Sequence, residues 1–218
     1  MFKEIPVLNP SQIEQIKQIA ATAKFVDGRI SNPHSKVKNN LQLHDAESYQ
    51  RSSQIMSQAL QANEEFRDFA FPVAMAPPLL TRYTPGMHYG AHADMAYLNY
   101  GQTPLRSDLS CTIFLNDPST YDGGALRIHL GNRRIDFRCE PGTAIVYPSD
   151  TLHEVEPVTR GERFVGITFI QSRVPDPFQR NLLYDLNEVA ALEGGNMSLE
   201  NYTSLQLVQQ KLLRYWGR

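Results

Sequence analysis

Two periodicities divide the chain. In NPSQIEQIKQIAATAKF, residues 9–25, isoleucines recur at 13, 16 and 19, the spacing of one helical face, behind an Asn-Pro-Ser start suited to capping. A second helix is predicted over residues 45–63, DAESYQRSSQIMSQALQAN, with Asp45 as its cap and Ile55, Met56 and Leu60 on one side. The polar, turn-rich stretch between them leaves room for a strand near Phe25 and Val26. From about residue 71 the period shortens. Eight short apolar or alternating runs follow one another: VAMAPPLLTRY, HYGAHAD, LSCTIFLND, GALRIHL, RRIDFRC, TAIVYPS, HEVEPV and RFVGITFIQ. Strands at this spacing predict a sandwich or barrel rather than βαβ units, and YDGGALRI and CEPGTAIVYP supply the turn residues.

After Pro175-Asp176-Pro177 helical spacing returns, first through Leu182, Leu183, Leu186, Val189 and Leu192 to a Gly194-Gly195 stop. A last helix places Leu205, Val208, Leu212 and Tyr215 on one face, with basic residues in its final turns. The expected organisation is mainly β with flanking helices. Residues 1–70 form an N-terminal helical support region, 71–175 the β core, and 176–218 a helical module too small to bury much core alone and therefore packed on the rest.

Composition narrows the class. The 218 residues, 41% hydrophobic and 20% charged, suit one globular domain, and a net charge of -2 gives no footprint for nucleic acid. Cys111 and Cys139 are too few for a disulfide framework and are read as buried, reduced thiols. The N-terminal stretch lacks the apolar core of a secretory signal, and no apolar run approaches the ~18–20 residues that span a bilayer. A cytoplasmic chain without membrane partners is expected.

The chemistry concentrates in HYGAHADMAYL, residues 88–98. Gly90 and the preceding Pro85-Gly86 argue against a helix, so His88 and His92 are not a helical zinc pair. On a strand, His92 and Asp94 leave from one face, an imidazole beside a carboxylate. His153, just after the TAIVYP run, adds a ligand from a distant strand. Two histidines and one carboxylate occupy one face of an octahedron and leave three positions free, the arrangement of non-haem Fe(II) oxygenases. Ten residues on, Arg163 shares a strand face with Val165, Ile167 and Phe169. A guanidinium among apolar side chains calls for an anionic partner, which a dicarboxylate co-substrate supplies.

RYTPGMHYGAHAD, LSCTIFLND, DGGALRI, PGTAIVYPSDTLHEVEPVTRGER and the helical tail resemble the bacterial PKHD-type hydroxylases, prolyl 4-hydroxylase-like Fe(II)/2-oxoglutarate-dependent dioxygenases. The resemblance spans nearly the whole chain. It implies a double-stranded β-helix (jelly-roll) core, Fe(2+) held by His92, Asp94 and His153, and 2-oxoglutarate anchored by Arg163 with help from Tyr83. It implies O2 as the oxidant, L-ascorbate as the agent that keeps iron reduced, and a peptidyl, amino-acid-like or small-molecule substrate hydroxylated with release of succinate and CO2. Two readings stand beside it: a non-catalytic iron or 2-oxoglutarate sensor using the same site, and a zinc or manganese protein of cupin type, which Arg163 disfavours. A homodimer through the helical tail or the N-terminal helix is open.

Other residues carry less. His88 shares the His92 face and lines the pocket if the strand runs straight, while a supporting or exposed histidine, not a ligand, is the plainer reading. His129 is read as a solvent-facing or satisfied sheet histidine, GNRRIDFR as a solvated basic hairpin and DGGAL as a turn, because it opens no helix. His34 and His44 lie outside the β core. Residues 95–107, polar and turn-rich, are read as a loop covering the substrate.

Overall fold

A computed structural model of the protein describes residues 1–99 and 103–217. The chain opens with β1 (Lys3–Pro6), α1 (Pro10–Thr22), β2 (Phe25–Asp27), β3 (Lys38–Asn39), β4 (Leu41–Leu43), α2 (Ala46–Ala62) and α3 (Glu64–Ala70). The central strands are β5 (Pro72–Met75), β6 (Leu79–Tyr83), β7 (His88–His92), β8 (Tyr97–Leu98), β9 (Leu105–Arg106) and β10 (Leu109–Phe114). Then come β11 (Asp122–Gly123), β12 (Leu126–Leu130), β13 (Arg133–Phe137), β14 (Thr143–Pro148), β15 (His153–Val155), β16 (Val158–Arg160) and β17 (Arg163–Ser172). Two helices close the chain, α4 (Pro177–Glu193) and α5 (Leu199–Trp216).

The helix starts follow their local chemistry. Asn9 accepts from the Gln12 backbone while the Gln12 side chain accepts from the Asn9 backbone, a capping box that satisfies two otherwise orphaned donors. Asp45 and Asp176 cap α2 and α4 in the same sense, each accepting from the backbone three residues on. The α3 helix was not predicted. Seven residues are too few to display a period, and its stability comes from burying Phe66, Phe69 and Ala70.

The strands form a jelly-roll core. One sheet follows the order β1-β14-β10-β17-β6-β4-β2, with β5 also on β17, and a second follows β13-β12-β15-β7-β3. The major sheet is covered on both sides. Its outer face carries Leu109, Cys111, Phe164 and Ile170 against Ile16, Met56, Leu60 and Phe66 of the helices. Its inner face carries Phe114, Ile145, Tyr147 and Val165 against Leu126, Ile128 and Val155 of the minor sheet. Being buried on both faces, β17 shows almost no hydrophobic–polar alternation. The N-terminal region expected to be helical also lends strands to both sheets. The pairing of β1 on β14 uses backbone groups and buries only Ile5, so a side-chain pattern had little to show there.

In the tail, α4 joins the helical side of the core through Leu183 and Tyr184, whose ring meets Phe69 edge-on at 5.4 Å. Arg180, 1% exposed, donates to the Val174 and Pro175 carbonyls and so ties α4 to the end of β17. No residue of α5 is buried. Both cysteines are buried free thiols, and burial pushes each up to about 12. Among the described residues no helix is long and apolar enough to cross a membrane.

The DGGAL turn is a bulge in the β11–β16 ladder. Gly123 has φ +70, and a Cβ there would stand 2.1 Å from the Pro157 carbonyl oxygen. Gly123→Ala is expected to cost about 2–4 kcal/mol, from a left-handed backbone and a clash with main chain. Calorimetry should show the unfolding midpoint lowered by several degrees, and an unchanged midpoint would refute the bulge geometry.

Candidate metal centre

Strand register creates the site. His92 of β7 and His153 of β15 are direct cross-strand partners, which brings their rings to 4.3 Å between centroids. Each ring donates its Nδ1 hydrogen to a carbonyl two residues back, His92 to Gly90 at 2.8 Å and His153 to Thr151 at 2.9 Å. A carbonyl can only accept, so these bonds fix the tautomer and leave both Nε2 lone pairs for a ligand. Asp94 lies just past β7 and is held by the other sheet. Its backbone N–H donates to the Ser149 carbonyl at 3.1 Å, and Ser110 Oγ donates to Asp94 Oδ2 at 2.6 Å. The Nε2 of His92 stands 3.9 Å from Asp94 Oδ1, and that of His153 stands 3.6 Å from Asp94 Oδ2.

One ligand atom from each of the three residues falls within 4.8 Å of the others. Burial, then the neighbouring His153, holds His92 down at about 4, so the ring is neutral and its lone pair available at physiological pH. Two imidazoles and a carboxylate in such a cluster fit a divalent first-row ion with open coordination positions. The carboxylate is oriented in turn. Ser110 Oγ and Ser149 Oγ are 2.8 Å apart, and Ser107 Oγ donates to Ser149 Oγ at 2.8 Å, a buried hydroxyl chain ending on Asp94.

A narrow cavity of about 60 Å3 runs from the triad to Arg163. Arg163 is 1% exposed, and its Nε has no hydrogen-bond partner among the described residues. Its neighbours are aromatic, with the guanidinium carbon 5.0 Å from the Tyr83 ring and 5.5 Å from that of Phe114. Burial lowers its pKa, and the neighbours that counter the effect are the phenols of Tyr83, Tyr121 and Tyr147 and the Cys139 thiol rather than a carboxylate. A buried cation left in this state costs several kcal/mol, and an entering carboxylate removes that cost. The cavity therefore fits an anion at its closed end. Tyr83 is the direct cross-strand partner of Arg163 and accepts from Asn40 Nδ2 at 2.9 Å. Burial raises its phenol pKa, which keeps its hydroxyl protonated as a donor. Gly124, at φ +63, packs against the arginine stem: a Cβ there would sit 3.1 Å from Arg163 Cδ.

The structure decides between the two readings of His88. His88 does not line this cavity; Tyr89 does, stacked on His92 with centroids 3.7 Å apart. The β7–β15 register shifts between the His153–His92 and Val155–Tyr89 pairs, so one extra residue in β7 reverses the face of whatever precedes it. Gly90 in mid-strand was the available signal. Lys38, Asn40, Ser110 and Tyr147 also line the cavity and went unnoticed, because only register brings them there. His129 lies 3.3 Å from Glu154 on the minor sheet. Arg127 in the same sheet pairs with Asp136 and Glu154, while Arg133 and Arg134 are exposed. Within 95–107, β8 and β9 pair as a hairpin whose residues 100–102 lie outside those described, and Met95, Leu98 and Asn99 line a second cavity beside the triad.

Comparison with known proteins agrees with this geometry. The sequence profile of the 2OG-Fe(II) oxygenase superfamily matches residues 78–171. A PKHD-type hydroxylase of Sphingopyxis alaskensis is 62% identical over 218 residues, 100% of each chain. Another, from Beijerinckia indica, is 38% identical and covers 100% of this chain and 99% of its own. Among solved structures, a Trichoplax adhaerens prolyl hydroxylase in complex with a hypoxia inducible factor peptide fragment aligns with TM-score 0.57 at 15% identity, over 83% of this chain and 86% of that one. A Pseudomonas putida prolyl-4-hydroxylase aligns with TM-score 0.54 at 19% identity, over 79% and 92%. At such identities the likeness is one of fold.

Ser110→Ala should leave the fold intact and weaken divalent metal binding by roughly 10- to 100-fold, since Asp94 loses the donor that orients it. Calorimetric titration with Ni(II) measures this, and unchanged affinity would remove Ser110 from the site.

Proposed function

The chain belongs to the PKHD-type hydroxylases of the 2OG-Fe(II) oxygenase superfamily, and from there we propose that it hydroxylates an unactivated C–H of a peptidyl, amino-acid-like or small-molecule substrate. The observation that carries this reading is the single cavity joining an open two-histidine, one-carboxylate cluster to a buried arginine without an anion. When bound, ferrous ion with 2-oxoglutarate and O2 supplies the oxidising power, and succinate and CO2 leave as co-products.

The residues divide the work. His92, Asp94 and His153 hold the metal from one side and leave the other side for small ligands. Arg163 binds the distal carboxylate of 2-oxoglutarate, where a guanidinium in a dry pocket makes a strong charge-assisted pair. Tyr83 directs its hydroxyl hydrogen to the same carboxylate while Asn40 holds its oxygen. Phe114, Tyr147 and Val165 keep water from the closed end, so the co-substrate is positioned before the reaction begins.

Purified protein supplied with Fe(II), O2 and ascorbate is expected to convert 2-oxoglutarate to succinate, slowly without primary substrate, and His92→Ala or His153→Ala to abolish it. Tight 2-oxoglutarate binding without succinate, even with candidate substrates present, would favour the sensor reading instead. Arg163→Met should raise the 2-oxoglutarate KM by roughly 10- to 100-fold, since it removes a charge-assisted pair. The same variant should keep or raise the unfolding midpoint of the metal-free protein, because the buried cation is gone. Steady-state kinetics and calorimetry check the two halves, and an unaltered KM would remove Arg163 from co-substrate binding.

A further inference from the structure

A second cavity of about 460 Å3, within the range of small-molecule pockets, shares Lys38, Tyr89, His92, Asp94, Ile167 and Phe169 with the first and does not reach Arg163. Much of its wall is apolar, including Pro77, Leu79, Met95, Leu98, Ile167 and Phe169. Apart from Asp94, which belongs to the metal cluster, the charged side chain on the described wall is Lys38. Its Nζ donates to Ser31 Oγ at 2.8 Å and stands 5.6 Å over the Tyr89 ring. Among the described residues no carboxylate forms a salt bridge with it, and Asp94 and Asp27 act on it only at longer range.

Lys38 is half-buried, and an ammonium has three donors, of which the structure commits one to a neutral hydroxyl. An uncharged substrate filling this cavity would strip water from that ammonium and return no counter-charge. A cationic substrate would add repulsion from Lys38. An anionic substrate pairs with the lysine and leaves its apolar remainder for the rest of the wall. Tyr89 stacks on His92 at 3.7 Å and lies beneath the ammonium, so the charge sits within one small molecule's length of the metal ligands.

We propose that the primary substrate carries a carboxylate a few bonds from the carbon that is hydroxylated, and that Lys38 recognises it. The proposal rests on the hydroxylase reading above and adds the substrate class and its specificity residue.

The test uses the full chain loaded with Mn(II) and 2-oxoglutarate. N-acetyl-proline, N-acetyl-leucine and 4-phenylbutyrate are each compared with their primary amides by ligand-observed NMR. At least one acid is expected to bind about tenfold tighter than its amide, the scale of one charge-assisted contact. Lys38→Met should erase that preference and Lys38→Arg should keep it. Acids and amides that are indistinguishable across the panel, including pairs that both fail to bind, would overturn the proposal. So would a preference that survives Lys38→Met, or one that is absent while Lys38→Met loses 2-oxoglutarate affinity, which would assign the lysine to the co-substrate. Failure of the hydroxylase reading looks different: with Fe(II) and O2 the wild type would form no succinate with or without these acids, whatever preference the panel shows.

Discussion

The site depends on one antiparallel pairing, that of β7 with β15. It sets two imidazoles opposite each other at the distance of direct cross-strand neighbours. The extra residue in β7 turns Tyr89, rather than His88, toward the same cavity. A slip of one residue in this ladder would send His92 to the opposite face and leave His153 without its partner. The minor sheet therefore carries a constraint that its modest core, with Leu126, Ile128 and Val155 as buried anchors, must hold. The glycine at position 90 fits this role, because its backbone donates to the Val37 carbonyl and a Cβ there would press on Val37 at 3.0 Å.

Asp94 completes the cluster from the other side of the jelly roll. Its N–H is tied to Ser149 after β14 and its carboxylate to Ser110 on β10, so the major sheet positions the third ligand while the minor sheet positions the first two. The candidate metal site is thus a joint between sheets. A bound divalent ion would link them directly, which couples metal affinity to the stability of the whole barrel.

Two buried polar groups that stability alone does not call for line the narrow cavity. Among the described residues, neither the buried Arg163 Nε nor Asn40 Oδ1 has a hydrogen-bond partner. Arg180 is as deeply buried as Arg163, and its Nε likewise has no hydrogen-bond partner among the described residues, yet its Nη1 donates to two carbonyls at the start of the C-terminal module. The contrast separates a structural arginine from one held ready for a ligand. Local violations of packing rules of this kind are expected where a fold spends stability on function.

The sequence by itself determined the class of the fold and much of the centre. The change from helical to strand period near residue 71 marked the β core, and the return of helical spacing after Pro177 marked α4 and α5. The H-x-D spacing, a distant histidine after a strand and an arginine ten residues later located four of the side chains that line the narrow cavity. These were legible because side-chain period and ligand chemistry are local properties. Tyr89 in place of His88, the serine chain behind Asp94, and Lys38 on the outer cavity were decided only by the tertiary structure. Each depends on which strand lies beside which and in what register, and that is fixed by the simultaneous burial of both sheet faces rather than by any short stretch of residues.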